Sequence, residues 1–262
     1  NNLFKPDAIT TELHKNNIGK VTFMKGNIPL EQYKDSDILK SFELTYKSDL
    51  NIRVFMNNSV INHLHQLNPE LSADQLLTTG NLQFAFYIDN KLLYTENLNY
   101  GCSFGSAGSK NTSTTFRVPL TSTKKEDWWS IYLWERFKLN GGEKALTNGK
   151  HKLKIEIRPY LKSDKNNEIK TGDLIAKGEV LLILKAPKLT PKQIEVQPIQ
   201  PNSDWEVSNF AFDKKKIEKL NAAIASYNLK EITSIVVVYD KKLLLEEYFN
   251  DANRNTLHDT RS

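Results

Sequence analysis

Cysteine is almost missing from this 262-residue chain: Cys102 stands alone. That excludes an internal disulfide and a thiolate zinc framework. No positioned histidine accompanies Cys102, so it reads as an incidental thiol rather than a nucleophile. No run approaches the roughly 18 apolar residues of a bilayer-crossing helix, so no transmembrane segment is expected. Glycine is thin, at 11 residues, and no Gly-x-Gly-x-x-Gly, phosphate-loop, paired-cysteine or His-Glu-x-x-His pattern occurs. No cofactor and no metal are therefore expected. Gly101, Gly105 and Gly108 lack a strand-to-helix setting and read as a surface loop. Arginine is sparse, and the net charge of +5 is carried mostly by scattered lysine. A nucleic-acid surface would concentrate cations and interleave aromatics, so no nucleic-acid partner is expected. The local triplet Lys214-Lys215-Lys216 reads as a solvated helix face.

What is present is a succession of short strand patterns. Leu153, Ile155 and Ile157 alternate with Lys152, Lys154, Glu156 and Arg158, the period of a strand with one wet face. Similar runs fall at 20–24, 41–46, 52–56, 82–88, 91–95, 115–120 and 178–184. Asp89-Asn90 marks a two-residue hairpin and Asn148-Gly149 another turn. The expected fold is mainly β. Residues 1–188 are predicted to form an antiparallel β-sandwich of immunoglobulin or jelly-roll type, with roughly seven to nine strands.

Two short helices interrupt this pattern. Val60, Ile61, Leu64 and Leu67 share a helical face, and Ser72 with Gln75 forms a capping-box signature. His63-x-His65 has the look of a metal pair, but residues two apart on a helix diverge and no third ligand is evident. Pro187, Pro191, Pro198 and Pro201 then punctuate a stretch without periodicity, predicting a semi-rigid linker over 189–208.

The segment from Asp127 to Phe137 is rich in aromatics. Such rings either fill a core or, when exposed beside polar groups, stack on sugar faces. On the second alternative Trp128, Tyr132 and Trp134 are the binding candidates, with Glu135 and Arg136 as polar partners. A non-catalytic β-sandwich module binding glycan or protein at a bacterial cell envelope follows from it.

The last third has a different grammar. Asp213 can cap a helix carrying Ile217, Leu220, Ala223 and Ile224. Ile235 to Val238 is a continuous apolar run, as in a strand buried on both sides. Asp240, Lys241 and Lys242 separate it from Leu243-Leu244-Leu245-Glu246-Glu247-Tyr248-Phe249, and the chain closes on Thr256-Leu257-His258-Asp259-Thr260-Arg261-Ser262. This ordering resembles the opening of the β-lactamase and penicillin-binding-protein family of serine hydrolases. There a helix and a hairpin lead into a Ser-x-x-Lys motif. The resemblance implies that residues 209–262 open an incomplete α/β hydrolase domain, with Ser262 as candidate nucleophile and its lysine base beyond the chain. It implies acyl-enzyme chemistry on an amide or ester in the parent protein and an inactive fragment here. The missing C-terminal hydrolase domain is the expected partner, and residues 1–188 the accessory or positioning domain. A cell-envelope glycan or peptide is a further expected partner. The absence of an initiator Met at Asn1 suits removal of a signal segment, and with it a bacterial periplasmic or envelope location.

Overall fold

The computed structural model describes residues 9–45, 48–102, 109–122, 131–162, 168–201, 204–226, 229 and 232–257. The chain divides into two compact units, Asn1–Lys185 and Ala186–Ser262.

In the first unit the strands are β1 (Lys20–Lys25), β2 (Ser41–Leu44), β3 (Leu50–Phe55), β4 (Gly80–Ile88), β5 (Lys91–Asn97), β6 (Thr115–Pro119), β7 (Gly149–Lys162), β8 (Ile169–Thr171) and β9 (Ala176–Leu184). All belong to one hydrogen-bonded sheet of order β5-β4-β7-β9-β1-β3-β6, with β2 added to β9 and β8 to β7. The expected antiparallel β-sandwich is thereby corrected. The protein is mixed α/β, with one large mixed sheet curled into a half-barrel and a separate hairpin. The reason is that β7, 14 residues long, is paired along both edges. It runs antiparallel to β4 from Leu153 to Leu161 and to β9 from Gly149 to Ile157. What would be two facing sheets is stitched into one. Two pairings, β1 with β9 and β2 with β9, are parallel. Alternation assigns faces to residues but says nothing about which strand lies alongside.

The second edge of β9 is shared. β1 meets it at Lys177, and β2 takes over from Leu181 to Leu184. At the changeover Gly178 lies against the β1 backbone so closely that a Cβ would overlap the Val21 carbonyl. Close backbone approach is a reason for glycine within a strand.

The main core gathers on one face of the sheet. β7 contributes Leu153, Ile155 and Ile157, β4 contributes Leu82, Phe84 and Phe86, and β3 contributes Ile52 and Val54. Leu64 from α2 (Val60–Leu67) and Leu76 from α3 (Ala73–Thr79), the two helices that follow the short α1 (Glu12–Asn17), pack onto it. The capping box of α3 is formed: Gln75 N donates to Ser72 Oγ (3.3 Å) and Ser72 N to Gln75 Oε1 (2.9 Å). Each fully buried side chain of this kind stabilises by about 1.5–3 kcal/mol. β1 and β3 are buried on both faces, because Met24, Tyr33 and Phe55 form a second cluster beneath Leu13, Ile28, Leu30 and Ile38.

Gly178→Ala should cost about 3 kcal/mol or more by forcing β1 away from β9. Urea denaturation measures this, and wild-type stability in the variant would show that the two backbones have room to part.

Candidate functional site

The second unit contains the helix Lys214–Ala225 and the hairpin β10 (Ser234–Tyr239) and β11 (Lys242–Tyr248). Asp213 caps the helix, its Oδ1 accepting from Lys215 N at 3.1 Å. Asp240 and Lys241 turn the hairpin with φ of 47° and 59°, the paired left-handed conformation of a tight two-residue connection.

β11 places two carboxylates side by side in sequence and hence on opposite faces. Glu246 is 2% exposed and Glu247 fully buried. Glu247 accepts from Gln197 N (3.0 Å) and Asn221 Nδ2 (2.8 Å). Glu246 accepts from Arg254 Nη2 (2.6 Å), Tyr248 Oη (2.9 Å) and the Gln200 amide. Arg254 also donates to the carbonyls of Gln200 (2.9 Å) and Pro201 (2.8 Å). The Gln197 side chain pairs with Tyr248 N and O as a strand would. Part of the proline-bearing stretch is therefore strapped to the hairpin. Arg254 thereby ties the loop after β11 to the same stretch. Ser262, the candidate nucleophile, lies outside the described residues.

The two carboxylates titrate apart. Burial raises the Glu247 pKa, and its two hydrogen bonds do not offset this. Burial pushes Glu246 the same way, but Arg254, Gln200 and Tyr248 together hold it below the ordinary value of 4.5.

The aromatic segment lies in the first unit. Its described part runs through wide-turned helix at Ile131–Glu135 and Lys138–Gly142. Trp134 is 3% exposed and packs on Phe137 at 4.9 Å, within the main core. Tyr132 is half-buried, with the Arg136 guanidinium 4.1 Å from its ring centre. Arg136 pairs with buried Glu96 at 3.0 Å, and Tyr94 Oη also bonds Glu96. Burial, followed by Glu96, pushes Tyr94 up to about 12. Glu135 pairs with Lys138 at 2.6 Å. Trp128 lies outside the described residues. Of the three candidate rings, Trp134 presents no open face and Tyr132 has one face covered by Arg136.

Two features carried no sequence signal. Lys110 is 5% exposed and donates to the carbonyls of Tyr100 (2.6 Å), Gly80 (3.1 Å) and Leu77 (3.2 Å), while burial pulls its pKa to about 8. Burial also raises the Cys102 thiol, which disfavours its thiolate form. The second is a cavity of about 390 Å³ between the turn at Ile18 and Gly19, α2, and residues Gly172–Ile175. Leu67 and Pro159 line it beside Asn57, Gln66 and His63. His63 is 5% exposed, its Nε2 has no hydrogen-bond partner, and burial holds its pKa near 4. Among the described residues no group of three metal-ligating side chains occurs, at His63 and His65 or elsewhere. No described helix is long and apolar enough to cross a membrane.

No family model matches the chain, and no curated protein matches it. Among solved structures, a crystal structure of a protein from Archaeoglobus fulgidus is 11% identical, covering 66% of this chain and 99% of that one at a TM-score of 0.19. A likeness of that size carries no argument.

Two pH effects follow. The His63 pKa lies below its ordinary 6.5 in the folded state. Stability is therefore full above about 6.5 and is lost as pH falls toward about 4, by about 3 kcal/mol. His63→Leu should flatten that part of the urea-denaturation profile. In the second unit Glu246, with its lowered pKa, adds stability that is lost as pH falls through its folded value. Glu247, with its raised pKa, withdraws stability as pH rises from 4.5 through its folded value. Urea titration followed by NMR at β11 amides should show Glu246→Gln removing the acid-side loss and Glu247→Gln removing the opposite one.

Proposed function

We propose that residues 209–262 open a β-lactamase-like serine hydrolase domain, with Ser262 as its nucleophile and residues 1–188 as an accessory unit. The observation that carries this reading is the state of β10. A run expected to be buried on both sides stands open: Val236, Val237, Val238 and Tyr239 are 56%, 37%, 42% and 50% exposed. Among the described residues β10 pairs with β11 alone. An uncharged strand open at one edge and, apart from the Phe210 ring on Tyr239, on its faces invites further pairing, which the remainder of a hydrolase domain would supply. The helix, hairpin and strapped loop come in the order that the resemblance requires.

In that chemistry the Ser262 hydroxyl attacks the carbonyl carbon of an amide or ester while a base takes its proton. The lysine three residues on, one helical turn away, is that base. The leaving amine or alcohol departs with a proton, and water then hydrolyses the acyl-serine ester. In this reading the serine works only together with that base and with oxyanion donors.

The coding sequence past Ser262 is the first test: any residue but lysine three positions on overturns the proposal. The longer chain should hydrolyse p-nitrophenyl acetate and take a fluorophosphonate label. Ser262→Ala should abolish labelling and lower kcat by about a thousandfold or more; undiminished labelling in that variant would reassign the nucleophile.

A further inference from the structure

Arg53 and Arg117 stand opposite each other in register across β3 and β6. Directly opposed residues project from the same face with Cβ atoms about 5 Å apart, and like charges so placed repel. Arg53 is 5% exposed and Arg117 half-buried. Arg53 donates to the Ile28 carbonyl at 2.5 Å and lies 5.2 Å from the Tyr33 ring centre, while its Nε has no acceptor. Arg117 donates to Asn51 Oδ1 at 2.5 Å. Neither guanidinium forms an ion pair with any described residue. Asp49 is engaged by Asn51 Nδ2 at 2.7 Å, one step removed from Arg117, and Glu31 acts on Arg53 only through its field.

Two cations, one of them buried, thus share a sheet face with no ion-pair partner among the described residues, Glu31 reaching Arg53 only at a distance. A buried charge lacking a partner is among the costlier features a fold can carry. The donors left over belong to planar forks, which match a carboxylate or phosphate group better than a spherical halide. Both forks are already held, Arg117 by Asn51 and Arg53 by Ile28 and Tyr33, so little side-chain freedom remains to be lost on binding. Among the described residues β6 is the terminal strand of the sheet, which puts Arg117 at its edge. We propose that Arg53 and Arg117 form a binding site for a small oxyanion, a phosphate- or carboxylate-type group held between two guanidinium forks at the β6 edge. The site lies in the first unit and does not depend on the chemistry assigned to Ser262.

The test is thermal unfolding and amide NMR of the whole chain in inorganic phosphate, acetate or chloride at one ionic strength. Phosphate or acetate should raise Tm above the chloride value by about 2 °C or more and shift β3 and β6 amides. A phosphate-selective rise assigns a phosphate-type ligand and an acetate-selective rise a carboxylate. Arg117→Gln should lose the response about tenfold or more in apparent affinity. Arg117→Glu supplies Arg53 with a fixed carboxylate, so it should melt above wild type in chloride and ignore added oxyanion. Equal Tm in all three salts overturns the proposal, as does an unaltered phosphate response in Arg117→Gln.

Discussion

Two-sided pairing along β7 is the constraint on which the first unit depends. Its 14 residues hold β4 on one edge and β9 on the other, so every later strand attaches to an already continuous ladder. Strand twist then curls the sheet, and the curl lets α2, α3 and the Trp134–Phe137 stretch close one core rather than cap two layers. The handover of β9 from β1 to β2 at Gly178 completes this arrangement. It works only because no side chain separates the two backbones there.

Buried polar groups mark where that scaffold bears the greatest local cost. Lys110 meets it with three carbonyls, and Glu96 with Arg136 and Tyr94. Each of these is a network with its donors and acceptors met. His63 meets it by staying neutral. Arg53 meets it only in part, through the Ile28 carbonyl and the Tyr33 ring, and a guanidinium does not shed its proton in a protein. That difference is what turns a cross-strand arginine pair from a packing detail into an argument for a ligand.

In the second unit Glu246 and Glu247 use the two-residue period of β11 to work on opposite faces. One secures the Lys214–Ala225 helix through Asn221 and the incoming chain through Gln197. The other secures Gln200 and, through Arg254, the outgoing loop. β10, by contrast, is composed of apolar residues yet stands exposed from Val236 to Tyr239.

Much of the local structure was legible before any coordinates. The Leu153–Ile155–Ile157 alternation lies within β7, Ser72 and Gln75 cap α3, Asp89-Asn90 turns β4 into β5, and Asp213 caps its helix. Each depends on residues a few positions apart, where periodicity, capping and left-handed turn conformations act within one or two turns of chain. The sandwich expectation failed because strand adjacency is not a local property. Nothing in residues 41–44 shows that they will lie parallel to 181–184. Likewise no short window brings Arg117 opposite Arg53, Lys110 under Gly80, or Arg254 onto Glu246. Those meetings were settled when distant segments packed, because only the assembled fold determines which charges lose their water and what they find in its place.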